Sequence, residues 1–124
     1  MSLARSNAVH MAIAFVAMGS WAVFANHGHP MPRPLVAGIA QGCVSAVITL
    51  FLKRMIEAIA RRLDGLPALV LPPVAACLCS LALLVTIHRL AGTPEIPRTI
   101  AMPLTVTTIY AATYAFALRR GRNA

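Results

Sequence analysis

The run Leu35–Leu52, LVAGIAQGCVSAVITLFL, carries no charged residue and no proline along its whole length. As a helix rising about 1.5 Å per residue it covers nearly all of the roughly 30 Å of hydrocarbon in a bilayer. Three further runs resemble it: Ala8–Ala25, Ala68–Ile87 and Thr99–Leu118. Lipid offers no water to backbone N–H and C=O groups, so segments this long and apolar satisfy themselves as helices, and they are too long for barrel strands. The expected fold is an all-α integral membrane protein. Residues 1–124 form a single four-helix membrane domain, with the transmembrane helices arranged as two tandem hairpins.

Composition agrees. Hydrophobic residues make up 59% of the chain and charged residues 11%, against about 45–50% and about 25% in soluble domains. The mean hydropathy is +0.76. A soluble chain of 124 residues cannot bury that much apolar surface, since small domains hide only about 60–70% of what they expose unfolded. Disordered proteins, disulfide-stapled secreted modules and most soluble enzyme folds are excluded.

A net charge of +8 would suggest nucleic acid in a soluble protein. Here the basic residues sit in short groups between the apolar runs, as charges that set membrane topology do. No phosphate-tracking surface is left outside the bilayer, so no nucleic-acid partner is expected. With the N-terminus inside, Arg5, Lys53, Arg54, Arg61, Arg62, Arg119, Arg120 and Arg122 lie on the cytoplasmic side, and only Arg33, Arg89 and Arg98 outside. The positive-inside rule thus predicts that both termini are cytoplasmic, with a bacterial cytoplasmic membrane as the expected location. The first run also has a rival reading as a secretory signal, with Arg5 as the basic flank and Val23-Phe24-Ala25 as the cleavage site. Its apolar stretch exceeds the usual core of about 7–15 residues, which favours a fourth span.

The halves of the chain look alike. Pro32-Arg33 precedes the second run and Pro97-Arg98 the fourth, and each run ends in a basic pair, Lys53-Arg54 or Arg119-Arg120. A parallel repeat and the generic pattern of any helix running outside to inside both account for this. Beyond the second run, Leu52, Met55, Ile56, Ile59 and Leu63 keep helical spacing, while Lys53, Glu57 and Arg61 follow at i,i+4. The stretch 51–63 reads as a basic amphipathic helix on the inner leaflet, or as a solvated helix end, with modest pairing among its charges. Asp64-Gly65 stops it.

Within the second run, Gly38, Gly42 and Ala46 form a small-residue face for helix packing, and Gln41, Ser45 and Thr49 form a polar flank beside it. Polar groups in hydrocarbon need partners, so the flank faces protein or a wet cavity. In the fourth run Thr99, Pro103, Thr107, Tyr110 and Tyr114 share a face. Pro103 frees the Thr99 carbonyl, and a kink and a polar notch are expected there. Pro72-Pro73 marks either the first turn of the third helix or a break in a longer one.

The outer side gathers His27, His29, Arg33, His88, Arg89, Glu95 and Arg98. Arginine suits phosphate and carboxylate, so an anionic headgroup is the sharpest ligand hypothesis. The expected substrate-binding residues are Arg33, His88, Arg89 and Arg98 with Gln41, Ser45, Thr107 and Tyr110. No metal site is expected, because Cys77 and Cys79 point about 200° apart on a helix and His27-x-His29 lacks further ligands. No cofactor is expected either. His88 and Glu95 are the one acid–base pairing on that side, without a nucleophile motif, so an enzyme is not expected. All three acids (Glu57, Asp64, Glu95) lie outside the apolar runs, which disfavours proton-driven pumping. Two functions remain. One is a small, oligomeric transporter or lipid-handling protein binding an anionic amphiphile, with membrane lipids as partners. The alternative is a non-catalytic accessory subunit docked on a larger membrane complex through the Gly38/Gly42/Ala46 face.

Overall fold

The computed structural model describes residues 3–123. Its elements are α1 (Leu3–Ala25), α2 (Arg33–Arg62), α3 (Leu66–Ala91) and α4 (Ile96–Asn123). The described chain is all-helical, and all four helices are long and apolar enough to cross a membrane. Each runs a few residues past its apolar core because the flanking basic and polar residues are themselves good helix formers or tolerate a first turn.

α2 goes furthest. Its 30 residues span about 45 Å, and it runs unbroken to Arg62 through the amphipathic stretch beyond the apolar run. Leu52 and Ile56 are buried in a core with Ala76, Leu84, Ala111 and Ala115. The stretch is therefore a continuation of the bundle, and tertiary packing of Ile56 decides it. The charge ladder expected there does not form: no ion pair joins Lys53 to Glu57 among the described residues, and Glu57 instead accepts a hydrogen bond from the Tyr114 hydroxyl at 3.0 Å. α2 ends where Leu63 turns extended, and α3 starts after Gly65, whose φ of +71° favours glycine. Pro72 and Pro73 lie inside α3, which neither starts nor breaks at them.

Packing is closest within the hairpins α1–α2 and α3–α4, and α2 also meets α3 and α4. α1 touches α4 but not α3 among the described residues. α2 and α4 thus form the central seam, with α1 and α3 on opposite flanks. One end of the bundle holds the α1–α2 and α3–α4 turns and is called the turn end below. The other holds the start of α1, the end of α4 and the α2–α3 turn.

The small face of α2 is filled from within the chain. A Cβ on Gly19 of α1 would lie 2.9 Å from the Gly38 carbonyl oxygen, one on Gly38 would overlap Val23 Cγ2, and one on Gly42 would lie 3.0 Å from the Phe15 ring. Gly38 and Gly42 receive α1, and Ala46, the third residue expected on the helix-packing face, is half-buried. The face expected to dock on a larger complex is thus met by a helix of the same chain. Without a hydrophobic drive between helices in lipid, such backbone-to-backbone contact is what holds a hairpin together.

Candidate functional site, a cavity between α1, α2 and α4

Proline has no N–H, so Pro103 leaves the carbonyl of Thr99, one turn earlier in α4, without its helical donor. Trp21 of α1 supplies one: its indole Nε1 donates to Thr99 O at 3.2 Å and to Arg98 O at 3.3 Å. Asn26, fully buried just past the end of α1, reaches the same turn. Its amide nitrogen donates to Thr99 Oγ1 at 2.7 Å and Ala22 O at 2.8 Å, and its oxygen accepts from the Glu95 backbone N–H at 3.0 Å. Thr99 Oγ1 in turn donates to Glu95 O at 2.6 Å. Glu95 precedes α4, so Asn26 caps that helix from another hairpin. His29 Nε2 meets Glu95 Oε1 at 3.0 Å. The polar notch expected around the freed carbonyl is thus occupied by Trp21 and Asn26, which pin α1 to α4 at the turn end.

Away from the pin, a cavity of about 300 Å³ opens between α1, α2 and α4. This lies at the lower end of the roughly 300–1,000 Å³ of small-molecule pockets. Its walls are mostly apolar, including Ala14, Ile48 and Val106. Polar groups enter along two helical stripes, Ser45, Thr49 and Lys53 from α2 and Thr107 and Tyr110 from α4, with Asn7 and His10 from α1. Among the described residues no carboxylate lines it. Among them, too, Lys53 makes neither an ion pair nor a side-chain hydrogen bond, since Glu57 is taken by Tyr114.

Behind the cavity runs a buried polar chain. Gln41 Nε2 donates to Ser45 Oγ at 2.7 Å, and Gln41 Oε1 lies 2.7 Å from His88 Nε2. His88 Nδ1 lies 2.7 Å from Thr93 Oγ1 in the α3–α4 turn. An amide oxygen only accepts, so the ring carries its proton on Nε2, and in that neutral tautomer Nδ1 accepts from the Thr93 hydroxyl. Gln41 and His88 are both 0% exposed. The described structure leaves no buried side-chain polar atom without a partner, as a site inside hydrocarbon requires.

The structure therefore divides the residues expected to bind substrate. Ser45, Thr107 and Tyr110 meet in the cavity. Gln41 and His88 stand behind it with each side-chain nitrogen and oxygen hydrogen-bonded, so His88 does not join the arginines. Arg33, Arg89 and Arg98 are exposed at the turn end and none lines the cavity, with the Arg98 guanidinium 6.0 Å from the Phe24 ring centroid. The acid–base pairing at that end is His29 with Glu95 rather than His88 with Glu95. His27 bonds the Phe24 carbonyl, so the two loop histidines take separate partners. Cys43 and Cys79 are exposed and Cys77 half-buried, and no group of three metal-ligating side chains occurs among the described residues.

Sequence reasoning missed Lys53, His10 and Asn7 as cavity residues. Lys53 had a signal: it continues the 41, 45, 49 stripe by one more step of four. Trp21 and Asn26 had none, because the Thr99 that both bond lies more than 70 residues away on α4. No protein-family profile matches this chain, and comparisons with curated proteins and with solved structures find no match either, so the functional argument rests on the geometry of this cavity.

Proposed function

We propose that this is a small polytopic protein of the bacterial cytoplasmic membrane that handles or transports an anionic amphiphile, a lipid or lipid-linked substrate, in the cavity between α1, α2 and α4. The observation that carries the reading is a Lys53 ammonium, unpaired among the described residues, on an apolar cavity whose described walls hold no carboxylate. Apolar walls favour a hydrocarbon portion, and a lone cation near the membrane favours an anion. The charge asymmetry supports both termini in the cytoplasm, which turns the Lys53 end of the cavity toward the inner leaflet. Arg33, Arg89 and Arg98 then face the outer interface, where they suit anionic headgroups of the surrounding lipid. The role proposed is binding: the apolar walls contact a hydrocarbon portion and Lys53 meets the charged head.

The alternative of an accessory subunit keeps less support, because α1 already covers the face assigned to docking. Association through the outward faces of α1 or α3, with a second copy or another membrane protein, is compatible with either reading.

The test is purification in mild detergent followed by extraction and mass spectrometry of bound lipid. An anionic amphiphile retained by the wild type and depleted in Ala14→Trp, which fills the cavity, is the expected result. Equal retention by both, or no anionic amphiphile at all, refutes the reading. A protease-sensitive tag after Ala124 should stay protected in intact cells, and cleavage from outside would invert the proposed orientation.

A further inference from the structure

We infer that the occupant of this cavity is a single-chain amphiphile with one negative charge, its head at Lys53 and its chain directed toward Pro103. This rests on the amphiphile reading above and sharpens it to a ligand class and an orientation.

The chain number comes from shape. Ser45 and Lys53 both line the cavity and stand eight residues apart on α2, about 12 Å along the axis. A volume of about 300 Å³ over that length leaves a cross-section of about 25 Å². Carbon atoms in contact sit about 3.5–4.0 Å apart, and with its hydrogens one hydrocarbon chain takes up most of that section, leaving no room for a second. Small residues on α1, Ala14 and Ala17, line this channel together with Ile48 and Val106.

The charge and orientation come from what stands at each end. Among the described residues Lys53 is the one Lys or Arg on the wall. One ammonium balances a carboxylate or a phosphodiester, and the His10 imidazole on the same wall is a further hydrogen-bonding group. Tyr110 belongs to the same end: it stacks on Tyr114 at 5.7 Å between centroids, and Tyr114 bonds Glu57, one turn beyond Lys53. The Tyr110 hydroxyl and the Asn7 amide are therefore available as further donors to an oxyanion. Toward Pro103 the described walls carry Met18 and Ile48, and no charge. The turn-end arginines take no part, because the Trp21 and Asn26 contacts close α1 onto α4 between them and the cavity.

Native mass spectrometry of the full chain in micelles tests this by titration with dodecanoate, lysophosphatidylglycerol, lysophosphatidylcholine and dilauroyl phosphatidylglycerol. One equivalent of dodecanoate or lysophosphatidylglycerol should bind, and which of the two binds more tightly separates a carboxylate source from a phosphodiester source. Lys53→Gln should weaken that binding about tenfold, as loss of a charge-assisted contact does. Lys53→Arg should keep it, and the double variant Arg33→Gln/Arg98→Gln should leave it unchanged. Ala14→Trp should abolish it, and Ala17→Leu serves if Ala14→Trp does not fold. Equal binding of lysophosphatidylcholine overturns the anion requirement, and a loss caused by Arg33→Gln/Arg98→Gln overturns the orientation. Binding of the two-chain lipid alone overturns the single-chain inference while the broader amphiphile reading stands. If none of the four binds, both fall.

Discussion

Replacing Gln41 by Leu should destabilise the bundle by about 3 kcal/mol, and the cost should depend on His88. The substitution keeps the volume of the side chain roughly constant but deletes two hydrogen bonds of 2.7 Å, one to Ser45 Oγ and one from His88 Nε2. The His88 bond joins α3 to α2 and, as an interhelical bond in a membrane, contributes about 0.6 kcal/mol; the Ser45 bond lies within α2 and contributes about 0.5–1 kcal/mol. Most of the cost comes from the ring N–H left behind, because His88 is 0% exposed and a stranded buried donor costs about 1–3 kcal/mol. Together these come to about 2–4 kcal/mol. His88→Leu alone strands the Gln41 carbonyl oxygen and the Thr93 hydroxyl and should cost a similar amount. The double variant strands neither ring nor amide, so it should be more stable than the added single costs by about 1–3 kcal/mol. Reversible unfolding from detergent micelles into dodecyl sulfate, measured by circular dichroism for all four proteins, gives the cycle. Additive costs, or a Gln41→Leu change below about 0.5 kcal/mol, would mean that the two side chains do not meet in the bundle.

Three further outcomes follow from the helix contacts. Gly19→Ala gains about 1 kcal/mol of helix propensity but places a Cβ 2.9 Å from the Gly38 carbonyl oxygen. Overpacking of about 1–3 kcal/mol should leave a net loss in the same unfolding assay, while Gly28→Ala, with nothing within 4 Å of its new Cβ, should match the wild type. Trp21→Phe should cost about 1 kcal/mol in the native protein and less in a Pro103→Ala background, where the backbone N–H regained at that position bonds Thr99 O; an equal cost in both backgrounds argues against the indole serving the freed carbonyl. Asn26→Ala removes the contacts to Ala22, Thr99 and Glu95 together and should lower stability by about 2–3 kcal/mol, with hydrogen exchange rising first at the start of α4. Unchanged exchange there would contradict its role as a cap.

Local features predicted from sequence carried over where a residue acts through its own helix. The small face of α2 does pack a helix, because Gly38 and Gly42 admit close approach whoever the partner is. Which helix fills it was not legible, and α1 takes it through Gly19, a glycine whose sequence neighbours give no periodic pattern. Likewise Gln41 and Ser45 had to find partners in hydrocarbon, but that His88 is one of them depends on α3 lying against α2. Grouping His88 with Arg33, Arg89 and Arg98 followed from shared depth along the chain. Depth says nothing of azimuth, and His88 points inward where the arginines point out.

Hydrophobicity and run length alone decide that this chain forms four apolar helices, since backbone hydrogen bonds in a lipid-like solvent can only be closed within each segment. They also place its turns, and its polar and small-residue stripes follow from the 3.6-residue period. The cavity belongs to the tertiary structure. It exists because Trp21 and Asn26 clamp α1 to α4 at one end, Gly19 locks α1 onto α2, and α1 and α4 then part around Lys53, Ser45 and Thr107. Those contacts join residues far apart in the chain, and only the packed bundle brings them within bonding distance.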